Sequence, residues 1–402
     1  MPKRILFAMN SPNITGGAMT GLLQFLAALP DNNIQAYLVV PYAPTTGQYE
    51  FLRKFFKDIA VVPMSGGWIR PRLERGTLSR FRTILGELWY SGLYLLTIQQ
   101  FKSLVRQWNI DKLYSGSLMI IGAALAAKVI HVPHIWHIKE TFGKYGNTQL
   151  FYPEHIVVDT INKLSSDIIV MSNYIAGPFR AHHAIQKIKL VRDGLDLRSY
   201  EGNLRGLELR RQLAIPPDKH VVALIASLNA PWKRHDLFVR SAKLVHAQYA
   251  NAHFVHFGNI PTPSAKQARY FNQLEGLVSS LGLSDVFTWA GPIYNIPQMM
   301  DSIDILVHPC PTEPFGRVAI EAMAARKPVV GSNTGGIRES VVHGETGLLS
   351  PPGDLEALAE HTLTLLSSSE LRKDMGSNGY NRVQSVFSIE EHVKNMRALL
   401  LQ

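Results

Sequence analysis

Short apolar runs alternate with longer amphipathic runs along the chain, and this alternation predicts an α/β fold built on parallel sheets. Runs rich in β-branched and aromatic residues predict strands at 4–10, 35–41, 59–64, 112–116, 134–138, 167–172 and 188–194, and again at 221–227, 253–258, 286–291, 305–310 and 328–333. Helical periodicity predicts helices between them, including 17–29, 156–165, 235–249, 265–281, 296–302, 317–326 and 354–367. The strands fall into two series, each suited to one sheet.

A polar stretch at 192–218, rich in glycine and proline, separates the two series. We predict two Rossmann-like domains, 1–195 and 196–385, and a C-terminal helix at 386–402 that packs back toward the first domain. Ligands of open parallel sheets bind beyond the carboxyl ends of the strands. Two such sheets facing each other are therefore expected to leave a cleft between them.

Composition adds a cellular context to this prediction. Hydrophobic residues make up 46% of the chain and charged residues 18%, a balance that supports large cores and argues against extensive disorder. The single cysteine, Cys310, excludes an intramolecular disulfide and is expected to be a packed thiol at a strand end in a reducing compartment. The N-terminal apolar run is too short for a signal peptide, and no run offers about 18 clean apolar residues, so we expect a cytoplasmic protein without a transmembrane helix.

The net charge of +10 lies in the first half of the chain. Residues 1–195 carry 21 Lys and Arg against 11 Asp and Glu, whereas residues 196–402 carry 20 of each. Much of the excess lies at 53–82, where basic residues alternate with aromatic ones: Arg53, Lys54, Lys57, Arg70, Arg72, Arg75, Arg80 and Arg82 with Phe55, Phe56, Trp68 and Phe81. Such a face suits peripheral contact with an anionic membrane, and an ordinary solvated face is the alternative. No nucleic-acid motif accompanies the charge, so no nucleic-acid partner is expected.

Several common catalytic signatures are absent from the sequence. It contains no GxGxxG, GxxxxGK[ST], HExxH, GxSxG or DxD motif. These absences argue against nicotinamide enzymes, P-loop enzymes, zinc and serine hydrolases, and transferases that bind a metal through DxD.

Two glutamates, Glu313 and Glu321, form the candidate site. Glu313 follows the strand predicted at 305–310, and Glu321 falls in the first turns of the helix predicted at 317–326. A carboxylate there can accept hydrogen bonds from two sugar hydroxyls, and the helix N-terminus after Gly316 offers N–H groups to a phosphate. The pair suits a sugar–diphosphate–ribose ligand. A solvated Glu313 and a Glu321 that only stabilises the helix dipole fit the same spacing.

The surroundings of the pair resemble one family. The run at 286–366 carries Trp289-Ala290-Gly291, Asp304, Glu313, Glu321, Pro328, Gly335-Gly336, Glu339 and Gly347 in an order that resembles the retaining GT-B glycosyltransferases of family 4, the glycosyl transferases group 1. The segments LNAPWKRHD at 228–236 and FVHFG at 254–258 also match. The resemblance implies a GT-B fold and transfer of a sugar from a nucleotide-diphosphate donor, with UDP or GDP as the carrier.

The resemblance also implies roles for residues of the second half. Glu321 would bind the ribose hydroxyls, Glu313 the transferred sugar and Lys233 the diphosphate. The backbone at Phe315 and Gly316 would lie against the donor, and the implied donor-binding set is completed by Pro314, Arg317 and Arg234. The chain departs from the family in lacking the arginine that usually follows the strand before Lys233. Either Arg234 replaces that cation or phosphate binding is weakened.

The first half resembles the family more loosely. Gly16 and Gly17, in TGGAMTG at 15–21, match a Gly-Gly loop that would lie beneath the donor phosphates, although a plain turn also needs glycine. His137, in PHIWHIKE at 133–140, matches an active-site histidine with Glu140 as its expected support, although a lone histidine at a strand end is commonly structural. By this resemblance 1–195 is an acceptor-binding domain and 196–385 a nucleotide-sugar-binding domain.

The mechanism expected is retaining transfer on one face of the sugar, without a metal or a cofactor. No further carboxylate offers a nucleophile for double displacement, so Glu313 is assigned to sugar binding, and Lys233, Arg234 and helix dipoles to the leaving diphosphate. The expected acceptor is a saccharide or a lipid-linked saccharide in bacterial polysaccharide or glycoconjugate synthesis. A non-catalytic sugar-nucleotide-binding protein, and an epimerase or phosphorylase-like enzyme with the same layout, stay open. The missing glycine fingerprint disfavours a nicotinamide-dependent oxidoreductase.

Overall fold

The structure is a computed structural model that describes residues 1–14, 16–64, 95–143, 146, 148, 150, 152–202, 204–260 and 265–402, the last range without the side chains of 265–267. The chain divides into two compact units, one comprising Met1–Gly194 with Ile389–Gln402 and the other Leu195–Ser388. No helix in these described ranges is long and apolar enough to cross a membrane. Several residues of the predicted basic and aromatic face lie outside the described residues: Trp68, Arg70, Arg72, Arg75, Arg80, Phe81 and Arg82.

The first unit is built on a seven-stranded sheet in which every neighbouring pair is parallel, in the order β3-β2-β1-β4-β5-β6-β7. The strands are β1 (Lys3–Ala8), β2 (Ile34–Val40), β3 (Ile59–Val61), β4 (Lys112–Ser115), β5 (His134–Ile138), β6 (Asp167–Val170) and β7 (Ile188–Leu190). The helices are α1 (Gly17–Ala27), α2 (Thr46–Leu52), α3 (95–108), α4 (Ile121–Ile130), α5 (Glu154–Leu164) and α6 (Gly177–Ala181).

This sheet is buried on both faces, as its continuous apolar strands require. Along β1, Ile5 and Phe7 point into one core cluster while Leu6 and Ala8 point into another, which is the period of two of a strand.

The second unit has a six-stranded parallel sheet in the order β10-β9-β8-β11-β12-β13. Its strands are β8 (His220–Ile225), β9 (Ala252–Phe257), β10 (Phe287–Gly291), β11 (Ile305–His308), β12 (Val329–Ser332) and β13 (Gly347–Ser350). Its helices are α7 (Gly206–Gln212), α8 (His235–Gln248), α9 (Ala265–Ser280), α10 (Ile296–Asp301), α11 (Arg317–Ala324), α12 (Ile337–Ser340), α13 (Leu355–Ser367) and α14 (Ser369–Val386), with 3₁₀ turns at Leu197–Tyr200, Pro231–Lys233 and Ser284–Val286.

The last helix, α15 (Ile389–Leu401), packs on the first unit. Its residues Ile389, Val393, Met396, Leu399 and Leu400 join the same core cluster as α1 and β1. Two lysines of the first unit bind its final carbonyls: Lys3 Nζ lies 3.0 Å from the oxygen of Leu401, and Lys112 Nζ lies 2.8 Å from that of Leu399. Cations at a helix C-terminus complement the helix dipole, so this docking is both apolar and electrostatic.

In each sheet the strand order reverses at one place, between β1 and β4 in the first unit and between β8 and β11 in the second. Asp304, just before β11, links this strand to β8 and α7: its Oδ2 accepts from the N–H of Val221 at 2.7 Å and from Arg210 at 2.9 Å. The carboxyl ends of strands on either side of such a reversal are where open α/β sheets bind ligands.

Candidate functional site

A lysine and a glutamate meet at the carboxyl ends of β8 and β11. Lys233 ends the 3₁₀ turn that follows β8, and Glu313 lies in the loop that follows β11. The Nζ of Lys233 donates to Oε2 of Glu313, and Nε2 of His308 lies 2.9 Å from the same oxygen. The Glu313 carboxylate therefore has a full charge partner and a second donor before any ligand is present.

Burial opposes both charges of this pair, and their contact overcomes that opposition. Burial alone would raise the pKa of Glu313, but the charge of Lys233 and the hydrogen bond from His308 hold it well below its usual value. Burial would likewise lower the pKa of Lys233, yet the charge of Glu313 raises it. Both groups therefore stay ionised at neutral pH, as a site for a charged ligand needs.

Two glycines fix the backbone that carries Glu313. The N–H of Gly336 donates to the carbonyl of Glu313 at 2.8 Å. A Cβ on Gly335 would lie 2.6 Å from that carbonyl oxygen, and a Cβ on Gly336 would lie 2.4 Å from the carbonyl of Pro314. Only glycine allows this approach, so the Gly-Gly step predicted as a family motif serves the glutamate loop directly.

The residues after Glu313 are held from behind by a second set of contacts. Phe315 is buried, with its ring 5.8 Å from that of Phe387, and its carbonyl accepts from Oγ of Ser340 at 2.9 Å. Arg382 on α14 in turn donates to the carbonyls of Ser340 and Glu339, at 2.8 and 2.7 Å. Phe315 therefore acts through packing, and a chain of contacts links α14 to the glutamate loop.

Helix α11 begins at its N-cap, Gly316, in the same loop and carries the second glutamate. Nε of Arg317 donates to Oε1 of Glu321 at 3.0 Å, one helical turn away, and both side chains are mostly buried. Tyr200 lies close by: burial raises the pKa of its hydroxyl, and the charge of Glu321 raises it further. The two predicted donor-binding residues Arg317 and Glu321 thus contact each other.

Arg234 has a partner of its own. It adopts a left-handed backbone conformation between the 3₁₀ turn and α8, and its guanidinium binds both oxygens of Asp236, at 3.0 and 3.1 Å. A guanidinium held by two hydrogen bonds is fixed in direction. The expected replacement cation is therefore tethered to Asp236.

The predicted residues of the first unit have different surroundings. Gly16 is the N-cap of α1 and donates its N–H to the carbonyl of Asn13 at 3.1 Å, while Gly17 has open space where a side chain would stand. His137 lies inside β5, almost fully buried. Its Nδ1 is 2.5 Å from the hydroxyl of Tyr114, and its Nε2 has no hydrogen-bond partner among the residues that the structure describes.

The contact with Tyr114 suits one tautomer of His137. Burial raises the pKa of Tyr114, so the phenol keeps its proton, and we assign it as the donor to Nδ1. Burial also holds the pKa of His137 well below its usual value, with the charge of Lys139 as a smaller cause. The imidazole is therefore neutral, with its own N–H on the unpartnered Nε2. The expected support from Glu140 goes elsewhere, since its carboxylate accepts from Ser117 and from the N–H of Leu118.

Two buried residues beside Glu313 were not assigned to the site from the sequence. His308 ends β11, and Cys310 follows two residues later; both are buried, and burial raises the pKa of the Cys310 thiol to about 11. The prediction of a packed thiol agrees with this burial. The signal that could have found them is their spacing, because His308, Cys310 and Glu313 leave one strand end within six residues.

Comparison with known proteins gives this arrangement a family. Residues 207–382 match the model of the glycosyl transferases group 1. The chain is 23% identical over 356 residues to the capsular polysaccharide biosynthesis glycosyltransferase CapM of Staphylococcus aureus, spanning 85% of this chain and 89% of CapM. It is 32% identical over 199 residues to a D-inositol 3-phosphate glycosyltransferase of Actinosynnema mirum, covering 49% of this chain and 47% of that protein.

Solved structures show the same fold. The crystal structure of HepE from Anabaena in complex with UDP and glucose superposes with a TM-score of 0.78 at 22% identity and covers 99% of both chains. The sucrose-phosphate synthase of Thermosynechococcus elongatus superposes with a TM-score of 0.72 at 18% identity, over 99% of this chain and 98% of that one.

The two Rossmann-like units therefore form a GT-B fold, and the predicted fold class is confirmed. The second unit carries the glycosyl transferases group 1 domain over residues 207–382, and the chain is a glycosyltransferase.

Proposed function

We propose that this glycosyltransferase is a retaining, metal-independent enzyme that moves a sugar from a nucleoside diphosphate to a saccharide or a lipid-linked saccharide, with no cofactor. The observation that carries the proposal is the ionised pair of Lys233 and Glu313 at the β8–β11 reversal. This pair suits two adjoining parts of such a donor: the diphosphate, which a cation binds, and the sugar, whose hydroxyls donate to a carboxylate.

Each part of the donor is assigned to a different residue of this site. Lys233 turns to the diphosphate, which frees Glu313 to accept from hydroxyls of the transferred sugar. Glu321 on α11 accepts from the ribose hydroxyls, and the first N–H groups of α11 lie toward a phosphate. The backbone from Pro314 to Arg317 lies along the donor. Arg234 stays hydrogen-bonded to Asp236 and contributes positive charge near the phosphates.

The transfer follows from these positions. The bond from the anomeric carbon to the diphosphate oxygen breaks, and the acceptor oxygen bonds to the same face of the oxocarbenium-like sugar. The acceptor proton passes to the leaving phosphate, whose charge Lys233 stabilises. Attack on the face that the diphosphate leaves retains the configuration, and no residue of the proposed site is assigned as a nucleophile, so no covalent intermediate forms.

In the first unit, His137 is the residue to which we assign a catalytic contact. Its buried Nε2–H without a partner is a donor that a sugar oxygen would satisfy, and leaving such a group unpaired is costly. Gly16 and Gly17 at the start of α1 are assigned to the donor phosphates, since a glycine N-terminus admits an anion closely.

The names of related proteins support the substrate classes. HepE was solved with UDP and glucose, and CapM is named for capsular polysaccharide biosynthesis. We therefore propose a UDP- or GDP-linked sugar as donor and a polysaccharide or glycoconjugate precursor as acceptor.

Membrane contact through the basic N-terminal half is part of the proposal, with the protein peripheral on the inner face of the cell membrane. Within the described residues, Arg53, Lys54 and Lys57 are exposed just after α2. Lys54 Nζ lies 5.8 Å from the centre of the Phe51 ring, whereas Phe56 belongs to the core. Sedimentation with anionic and with neutral vesicles tests this: binding to both alike, or to neither, would contradict it.

The test of the function is a thermal-shift panel of UDP-, GDP- and ADP-sugars, followed by NMR of the product formed with the stabilising donor. We expect one nucleotide class to raise Tm and the product to keep the anomeric configuration of the donor, with and without EDTA. Inverted product would overturn the retaining mechanism, and loss of transfer in EDTA would overturn metal independence. Binding without transfer or donor hydrolysis would identify a non-catalytic nucleotide-sugar binder instead.

A further inference from the structure

We propose that His308, Cys310 and Glu313 form an inhibitory site for a thiophilic divalent metal, zinc above all. The three residues belong to one strand end, yet they supply three different ligand types: an imidazole nitrogen, a thiol sulfur and a carboxylate oxygen. One such atom from each residue lies within 4.8 Å of the other two, and all three residues are buried.

The geometry needs only small movements. In a tetrahedral zinc site, bonds of about 2.0–2.3 Å place neighbouring ligand atoms roughly 3.5 Å apart. His308 Nε2 and Glu313 Oε2 are 2.9 Å apart, so an ion between them would push these two apart and draw the sulfur in. The fourth position falls to water, as in open zinc sites.

The ring of His308 can change tautomer to become a ligand. Its Nε2 now contacts Glu313, while its buried Nδ1 has no partner among the described residues. When Nε2 binds a metal, the ring proton moves to Nδ1, where no existing hydrogen bond has to be broken. The Cys310 thiol gives its proton to solvent as the metal–sulfur bond forms.

The donor set selects the metal. One thiolate, one carboxylate and one neutral imidazole carry two negative charges and balance a dication. Sulfur and imidazole suit Zn²⁺, Co²⁺ and Cd²⁺, whereas Mg²⁺ and Ca²⁺ prefer oxygen ligands only.

Lys233 opposes the metal. Its ammonium contacts the same Glu313 oxygen, and a dication there would repel it. Zinc must therefore displace Lys233, so the site binds more weakly than a structural zinc centre and releases its ion to a chelator.

The inhibitory consequence rests on the proposed function. A zinc-bound Glu313 cannot accept hydrogen bonds from sugar hydroxyls, so zinc competes with donor binding. Zinc therefore inhibits an enzyme whose catalysis requires no metal.

A cobalt titration of the reduced, untagged protein tests the site without any activity. We expect a thiolate-to-cobalt charge-transfer band in the near ultraviolet and strong visible bands of tetrahedral Co²⁺, both removed by excess Zn²⁺ and neither produced by Mg²⁺. Cys310→Ser should abolish the charge-transfer band, and Cys310→Ala guards against a folding defect of the first variant. His253→Asn, which changes a buried histidine on β9 outside the cluster, should leave the spectrum unchanged.

Lys233→Met separates this site from an accidental thiol adduct. Removing the opposing charge should tighten cobalt binding, by about tenfold on the scale of effects from groups next to a metal site. A charge-transfer band that survives in Cys310→Ser, its absence from the wild-type protein, or weaker binding in Lys233→Met would each overturn the proposal.

Transfer assays then address the inhibition alone. Zinc should inhibit the wild-type enzyme and EDTA should restore it, while Cys310→Ser should need at least about ten times more zinc. If the cobalt bands appear as expected and zinc leaves transfer untouched, the metal site stands and its inhibitory role is overturned. If no transfer occurs with any donor, the proposed function fails while the spectra still decide the metal site.

Discussion

The two sheets share their strand order but not the chemistry of their carboxyl ends. Numbered along each unit, the second sheet reads 3-2-1-4-5-6 and the first repeats this order with a seventh strand at its end; both reverse between the first and fourth strands. In the second unit Lys233 pairs with Glu313, and Arg317 pairs with Glu321. In the first unit the assigned residues are two glycines and a histidine whose burial keeps it neutral.

The difference shows that sheet topology determines where a ligand binds, whereas the side chains at that position determine which chemical group is bound. Ion pairs at a sheet edge can be exchanged for the charges of a ligand, which suits a diphosphate. A neutral N–H in an apolar setting offers one directed hydrogen bond and no charge, which suits a sugar oxygen. The predictions below probe this division, from the largest expected effect to the smallest.

Glu313→Gln should cost the most. It removes the charge that accepts from sugar hydroxyls and leaves Lys233 without its partner, so we expect kcat/KM to fall by about 10³ or more. Glu345→Gln, an exposed change in the same unit, is the matched control and should leave kcat/KM unchanged. Near-normal transfer by Glu313→Gln would refute its assignment.

Lys233→Met should lower kcat/KM by about 10² to 10³ and also change the pH dependence of stability. The pKa of Glu313 is lowered on folding, so its contribution is full above its unfolded value of about 4.3 and is lost as the pH falls through the lower folded value. The pKa of Lys233 is raised, so its contribution is full below about 10.4 and is lost above the folded value. The variant should be less stable by about 3 kcal/mol between these limits.

Denaturant unfolding at several pH values measures this gap between the wild-type protein and Lys233→Met. It should be flat from about pH 5 to pH 10 and should shrink in stronger acid. A gap that closes near pH 7 would contradict the assignment of the ionised pair.

His137→Ala should lower kcat by about ten- to a hundredfold through loss of one directed donor. Because burial holds the pKa of His137 well below neutrality, the wild-type rate should show no titration between about pH 5 and pH 9 that is lost in His137→Ala. Tyr114→Phe, which removes the partner of Nδ1 and leaves the imidazole in place, should have a smaller effect. A new pKa near 6.5 in the wild-type profile that vanishes in His137→Ala would argue for a charged histidine.

Arg382→Gln should raise the donor KM by about tenfold with little change in kcat, because it loosens the contacts that reach the glutamate loop through Ser340 and Phe315. Arg372→Gln is the control: it lies on the same helix and also donates to backbone carbonyls, those of Leu365 and Leu366. It should lower Tm without moving the donor KM. Equal effects of both variants on KM would reduce Arg382 to a structural role.

Lys112→Met should have the smallest effect on catalysis. It keeps the length of the side chain but removes the donor to Leu399, so the free energy of unfolding should fall by about 1 kcal/mol while kcat and KM stay unchanged. A large kinetic effect would show that the docking of α15 matters to the site itself.

Much of the fold followed from hydrophobic periodicity. The strand predicted at 286–291 is β10 at Phe287–Gly291, and the helix predicted at 296–302 is α10 at Ile296–Asp301. Helix α14 was not predicted, because its sequence is polar and carries Gly376 and Gly379. A Cβ on Gly376 would lie 2.1 Å from the carbonyl of Arg326, so tertiary packing on α11 selects a residue that weakens the helical signal.

The sequence nominated candidate site residues but could not predict which of them contact one another. Strand ends, helix starts and the family resemblance pointed to Lys233, Glu313 and Glu321. That Lys233 binds Glu313, that Arg317 binds Glu321 and that Asp236 holds Arg234 could not be read from spacing, since each depends on side-chain directions set by packing. His308 was overlooked because a histidine in an apolar run is more often a core residue.

The position of α15 has a consequence for synthesis. The second unit is an insertion within the first, since Leu195–Ser388 is made between β7 and the helix that completes the core around Phe25. On the ribosome the second unit emerges whole and can fold at once, whereas the first has to wait, with an apolar groove open, until Ile389–Gln402 has been translated. The half of the chain that begins first is therefore the half that matures last, and a ribosome that stalls before Ile389 releases a protein with an exposed core.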